Sequence, residues 1–99
     1  MSSVATDFGS RMMPHLESLA RKMLNNRDFG YLSTVADLMS GLHSGKWSRL
    51  PKDDKEYYLK KMSSDFHPKG MGDSQYGFDS DYQSILELLS AEERALRIQ

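Results

Sequence analysis

The chain has 99 residues, which is room for a single domain with a small core and leaves no space for a second domain of ordinary size. Apolar residues make 38% of it, and 13 Lys and Arg stand against 14 Asp and Glu for a net charge of -1, so no global basic field draws it to phosphate backbones or acidic membranes. It has no cysteine, which excludes disulfides, thiolate metal sites and a cysteine nucleophile and suits a reducing cytoplasm. The first nine residues lack a basic stretch followed by an apolar run, and no 18-residue apolar stretch occurs, so a soluble, cytoplasmic protein is expected.

Residues 1–9 are small and polar, with Val4, Ala5 and Phe8 to bury, and read as a frayed terminus or a docking arm, flexible in part. From Pro14 the apolar residues Leu16, Leu19, Ala20, Met23 and Leu24 follow the i, i+3, i+4, i+7, i+8 spacing of an amphipathic helix. Pro14 suits a first turn, where its missing N–H has no partner to lose, and Asn25-Asn26 suits the end. A second stripe, Leu32, Val35, Ala36, Met39 and Leu42, predicts a helix with Asp28 as N-cap that stops before Ser44-Gly45, with Gly45 in the left-handed C-terminal position. The short link predicts antiparallel packing of the two helices.

Beyond Trp47-Ser48-Arg49-Leu50, Pro51 fits the first position of a third helix, over about 52–64. Asp53, Asp54 and Glu56 lie near the positive end of its dipole and Lys60 and Lys61 near the negative end, with Tyr58, Leu59 and Met62 as its apolar face. Trp47 reads as a core anchor beside Leu50 or as an interface hot spot. Residues 65–79 show no period, and Pro68, Gly70, Gly72 and Gly77 interrupt them, which predicts a long irregular loop of the kind that is functional or disordered. Helix returns at the capping box Ser80-Asp81-Tyr82-Gln83, carrying Tyr82, Ile85, Leu86 and Leu89. A second capping box, Ser90 to Glu93, marks a restart or kink toward Leu96 and Ile98. With no strand-like alternation and no repeat, the fold class is all-α: a small bundle of four to five helices in one domain over 1–99, with a long irregular loop before the C-terminal helices.

Candidate chemistry is thin. His15, His43 and His67 lack the i, i+4 partner that metal ligation uses, so no metal or other cofactor is expected. Gly70-Met71-Gly72 lacks the third glycine and the Lys-Ser pair of a phosphate loop. The paired carboxylates Asp53-Asp54, Asp79 with Asp81, and Glu92-Glu93 are accounted for by helix N-terminal chemistry. An enzyme is therefore not expected; one would need a site built from His67 with Asp73, Asp79 or Asp81.

Charge distribution says more than net charge. Gly70 to Glu93 holds six acids and no Lys or Arg, whereas Arg11 to Lys69 holds 11 bases against 7 acids. The acidic segment is either a face for a basic partner or a solvated helix face. Several of the seven methionines (Met13, Met23, Met39 and Met62) fall on or near apolar stripes and fit as core filling. Met71, beside Phe66, Tyr76 and Phe78, either folds back on the domain or meets a partner. His67-Pro68 sits in a bend where either proline isomer fits.

A helical, cysteine-free chain of this length with Phe66-His67-Pro68-Lys69-Gly70 as a central proline loop resembles the small anti-RecBCD accessory proteins of lambdoid phages. The resemblance implies a phage protein that binds the host RecBCD helicase-nuclease and modifies or inhibits it, protecting linear phage DNA and aiding phage recombination. It implies the loop as contact and a host prolyl isomerase as a further partner at Pro68. The expected partner-binding residues are then Phe66, His67, Pro68, Lys69, Gly70, Met71, Tyr76 and Phe78, without direct nucleic-acid or membrane binding. The alternative is a small helical DNA-binding regulator that uses the basic segment 11–69. Oligomeric state is open, since so few apolar residues leave room for a core completed by a second copy.

Overall fold

The computed structural model describes residues 7–42 and 46–98. The order of elements is α1 (Phe8–Asn25), α2 (Phe29–Leu42), α3 (Lys46–Arg49), α4 (Lys52–Asp65), a 3-10 turn (Met71–Asp73) and α5 (Ser80–Ile98), with no strand among the described residues. The fold is all-α, as the apolar periods predict. No helix among the described residues is long and apolar enough to cross a membrane. By packing, the chain forms two compact units, one ending at Arg49 and one beginning at Leu50.

In the first unit α1 packs on α2 and α3. α1 starts six residues before Pro14, because Asp7 rather than Pro14 opens it: the Asp7 carboxylate accepts from Ser10 N–H at 2.8 Å, the usual N-cap bond. Of the expected flexible arm, Phe8 and Gly9 are thus buried helix, and residues 1–6 lie outside the described residues. Pro14 stands inside the helix with its ring exposed, and Met12 and Leu16 on either side of it in sequence are buried. The buried stripe of α1 is Phe8, Met12, Leu16, Leu19 and Met23, while Leu24 is 54% exposed, because the apolar face is narrower than five predicted positions.

Asn26 caps α1, and Arg27 takes a left-handed φ of 57°. Arg27 N–H donates to the Leu24 carbonyl at 3.0 Å and Asp28 N–H to the Met23 carbonyl at 2.8 Å, the paired bonds of a Schellman ending. α2 follows after two further residues, and Leu32 N–H donates to the Asp28 carbonyl. Its buried residues are Val35, Leu38, Gly41 and Leu42. Ala36 is exposed and Leu32 and Met39 half-buried, so the helix is rotated from the stripe that the sequence suggests. The predicted cap at Gly45 lies outside the described residues.

Trp47, on the short α3, is a core anchor: its ring lies 4.7 Å from that of Phe8, tilted by 52°. A Cβ on Gly9 would stand 2.6 Å from the Leu42 carbonyl oxygen and 3.3 Å from Trp47 Cβ, so glycine is what lets α1 start against the end of α2 and α3. The second Asp7 carboxylate oxygen accepts from both the N–H (3.1 Å) and the hydroxyl (3.0 Å) of Ser48, clamping α3 to the first turn of α1. Burial pushes the Asp7 carboxyl up, but the hydrogen bonds from Ser10 and Ser48 outweigh it and hold the group below its ordinary 3.8.

In the second unit α4 packs on α5. Pro51 is the N-cap of α4 rather than its first helical residue, its carbonyl accepting from Lys55 N–H at 3.0 Å. Asp53 and Asp54 fill the first turn as the charge pattern predicts. Leu59 and Met62 are buried, opposed by Tyr82, Ile85, Leu89 and Leu96 of α5 in the core of this unit. Asp79, not Ser80, caps α5: its Oδ1 accepts from Asp81 N–H at 2.8 Å and Tyr82 N–H at 3.2 Å. α5 then runs through Ser90 without a restart, so one C-terminal helix replaces the expected pair. Ser90 is exposed and Leu89 and Leu96 are both buried, so one continuous apolar stripe overrides the second capping box.

Candidate partner-binding surface

Residues 66–79 form an irregular connection, as expected, but a packed one. Phe66 ends α4 with its N–H on the Met62 carbonyl at 2.9 Å, and its ring is fully buried 6.4 Å from that of Tyr82. The His67 carbonyl then accepts from both Gly70 N–H (2.9 Å) and Gly72 N–H (3.2 Å), which folds the chain back around Pro68 and Lys69. His67 Nδ1 accepts from Lys69 N–H at 3.0 Å. No peptide bond among the described residues is cis, so His67-Pro68 is trans.

The turn at Met71–Asp73 sends the Met71 side chain inward, and Ser74 closes it, accepting from Tyr76 N–H at 3.2 Å through its hydroxyl oxygen. Tyr76 and Gly77 are buried in turn. Gly77 is required by close approach: a Cβ there would collide with the Gly72 carbonyl. At Gly72 a Cβ would stand 2.9 Å from the Tyr82 hydroxyl and 3.4 Å from Pro68 Cβ. Pro68 and Gly77 therefore both lie against Gly72, which faces the Tyr82 hydroxyl.

The eight expected contact residues divide into two groups. Phe66, Met71 and Tyr76 are core residues of the second unit and offer nothing to a partner, because an aromatic or thioether group in a glycine-rich loop gains more by covering the adjacent helices than by standing in water. His67, Pro68, Lys69 and Gly70 are exposed at the bend, and Phe78 is 100% exposed. Phe78 is nonetheless held from both sides: Gly77 N–H donates to the Ser74 carbonyl at 3.1 Å, Asp79 N–H to the Tyr76 carbonyl at 3.0 Å, and Gln83 Nε2 to the Gly77 carbonyl at 2.7 Å. The backbone fixes the direction of the Phe78 Cα–Cβ bond, and the ring beyond it is exposed.

The charge beside Phe78 is negative. Asp79 follows it, Asp81 opens α5, and exposed Asp73 ends the turn whose Gly72 lies against Gly77. Lys69 is the one base of the connection. Among the described residues no group of three or more His, Asp or Glu is placed to hold a metal ion.

One feature has no counterpart among the expected contacts. A groove of about 620 Å³ runs between α4 and α5, with Leu59 and Leu96 at its base and Tyr57, 64% exposed, on its wall. Lys52, Lys60 and Arg97 alternate along it with Asp53, Glu56 and Glu93, so it presents no single sign of charge. The Tyr57-Tyr58 doublet is its signal in the sequence, since adjacent helical residues cannot both face the core. The chain matches no family model, no curated protein and no solved structure.

Proposed function

We propose that the chain works by binding another protein and carries out no chemistry of its own, with Phe78 as the anchor of the contact and the bend at His67, Pro68, Lys69 and Gly70 beside it. The observation that carries this is a phenyl ring wholly in water on a backbone hydrogen-bonded at both neighbours. An aromatic group on an already ordered backbone spares the backbone part of the ordering cost on association, and aromatic residues are enriched among hot spots. The partner suggested by the resemblance of the proline loop is the host RecBCD helicase-nuclease. Binding would modify or inhibit it, protect linear phage DNA and aid phage recombination. Exposed Pro68 would remain within reach of a host prolyl isomerase.

The test is capture of partners from enteric bacterial lysate on the tagged chain, followed by degradation of linear duplex DNA by purified RecBCD with and without it. Recovery of RecBCD subunits and slower degradation support the reading; neither effect with folded bait ends it. Salt-sensitive binding to duplex DNA in the same preparations would instead favour the DNA-regulator alternative.

A further inference from the structure

The groove between α4 and α5 is used neither by the expected contacts nor by the reading proposed above. Its floor is apolar, with Leu59 and Leu96 at its base, and the Tyr57 ring on its wall is 64% exposed. The second unit, from Leu50 on, has two long helices and no disulfide, and a core of that size is commonly enlarged by association. Paired helices are often completed by two more to make a four-helix bundle.

The charges around the floor point to the occupant. Lys52, Lys60 and Arg97 stand there with Asp53, Glu56 and Glu93, three bases and three acids. A partner surface of a single sign would be repelled by half of this rim while the other half attracts it. A surface with both signs in equal number around an apolar centre matches it, and the same patch on a second copy is such a surface. The charges are also free to be shared. Lys52, Glu56 and Lys60 follow one another at i, i+4 spacing on α4, yet none of Lys52, Asp53, Glu56, Lys60 and Arg97 closes an ion pair with another described residue. Glu93 accepts from the Ser63 hydroxyl at 3.5 Å.

We infer that the groove between α4 and α5 is the interface of a symmetric dimer of this chain, in which the Tyr57 ring of each copy enters the groove of the other and the bases of each rim meet the acids of the other. The ring covers the apolar floor while its hydroxyl stays at the polar rim, the division of labour that enriches tyrosine at interfaces. The α4 and α5 helices of both copies then close one bundle.

Sedimentation equilibrium of the full chain up to about 100 μM tests this, a range in which pairs of micromolar affinity are detected. A reversible monomer–dimer equilibrium is expected. A chain that stays monomeric throughout, or that grows past two copies, overturns the inference, because a two-fold contact closes at the dimer. Tyr57→Ala should weaken pairing by about 30-fold or more with helix content by circular dichroism unchanged, and undiminished pairing overturns it.

Charge exchange then tests the rim. Lys60→Glu with Arg97→Glu gives an acidic groove, and Glu56→Lys with Glu93→Lys a basic one. Each should pair with itself at least about 10-fold more weakly than the unaltered chain, while an equal mixture of the two forms a mixed dimer. Full self-pairing of either, or no mixed dimer between folded variants, means that another surface joins the copies; if a charge variant loses helix content, Tyr57→Ala decides alone. Phe78→Ala should pair as the unaltered chain does, which separates this result from the partner-binding reading, and loss of pairing in that variant overturns the inference.

Discussion

The Tyr82 hydroxyl donates to the Phe66 backbone carbonyl at 2.6 Å across sixteen residues of sequence, and the two rings lie 6.4 Å apart. This bond joins the end of α4 to the first turn of α5 and closes the irregular connection between them. Both groups are buried, so water cannot take over if either partner is removed. Tyr82→Phe keeps the ring and leaves the carbonyl unpaired, which should cost about 1–3 kcal/mol. Urea denaturation measures the loss, and faster amide exchange over 66–77 would locate it. Phe66→Ala removes a fully buried ring and should cost about 3–5 kcal/mol, so any loss of binding in that variant would report unfolding rather than contact.

Asp7 gives the first unit a dependence on pH. Its carboxyl is held below 3.8 in the folded chain, so the stability it contributes is complete above the unfolded-state value and is lost as pH falls through the lower folded value. Asp7→Asn should reduce the acid dependence of the denaturation midpoint in that range. Asp7→Ala should cost about 0.5–2 kcal/mol near neutral pH through the lost cap alone, with loss of the Ser48 clamp added to it. Denaturation midpoints of both variants at several pH values check the sign.

Two positions of the first unit go against local backbone preference and should yield stability when changed. Arg27 sits at a φ of 57°, where glycine avoids a cost of about 1–2 kcal/mol, and Arg27→Gly should recover much of it. Pro14 lies in the interior of α1 with its ring in solvent, so Pro14→Ala restores a helical N–H without opening a cavity and should stabilise by up to about 3 kcal/mol. Thermal denaturation should show higher midpoints for both, and a lower one for either contradicts the local account.

The contrast between helix and connection shows what the sequence carried. α4 lay within a residue of its expected end because acids, lysines and apolar residues all agreed on it. α1 begins early because one Asp before a Phe is a weak signal beside a proline, yet the Asp7 carboxylate gains the Ser10 N–H in the first turn and both the N–H and the hydroxyl of Ser48, 41 positions away. The same limit applied to residues 66–79. Phe66, Met71, Tyr76 and Phe78 look alike in sequence, and what sends three inward and one outward is the contact of Gly77 on Gly72 and of Gly72 on Tyr82, which no local pattern records. The irregular connection is legible in the sequence as a segment, and the burial of its individual residues is not.

Glycine at 77 is therefore a structural requirement. Gly77→Ala forces its Cβ onto the Gly72 carbonyl and should shift the whole connection, lowering stability by about 1–3 kcal/mol and reorienting Phe78. Gly30→Ala, with open space around the added carbon, should be stabilising or neutral and serves as its control. Denaturation midpoints compare the two.

Binding of a partner protein through Phe78 is decided by the affinity of purified RecBCD for the chain and for Phe78→Ala. The ring is fully exposed, so its removal should change folding stability by no more than about 0.5 kcal/mol and leave the circular dichroism spectrum unaltered. The chain should bind, and Phe78→Ala should bind about 30-fold or more weakly. Equal affinity for the two, or no binding by the folded chain, would contradict it.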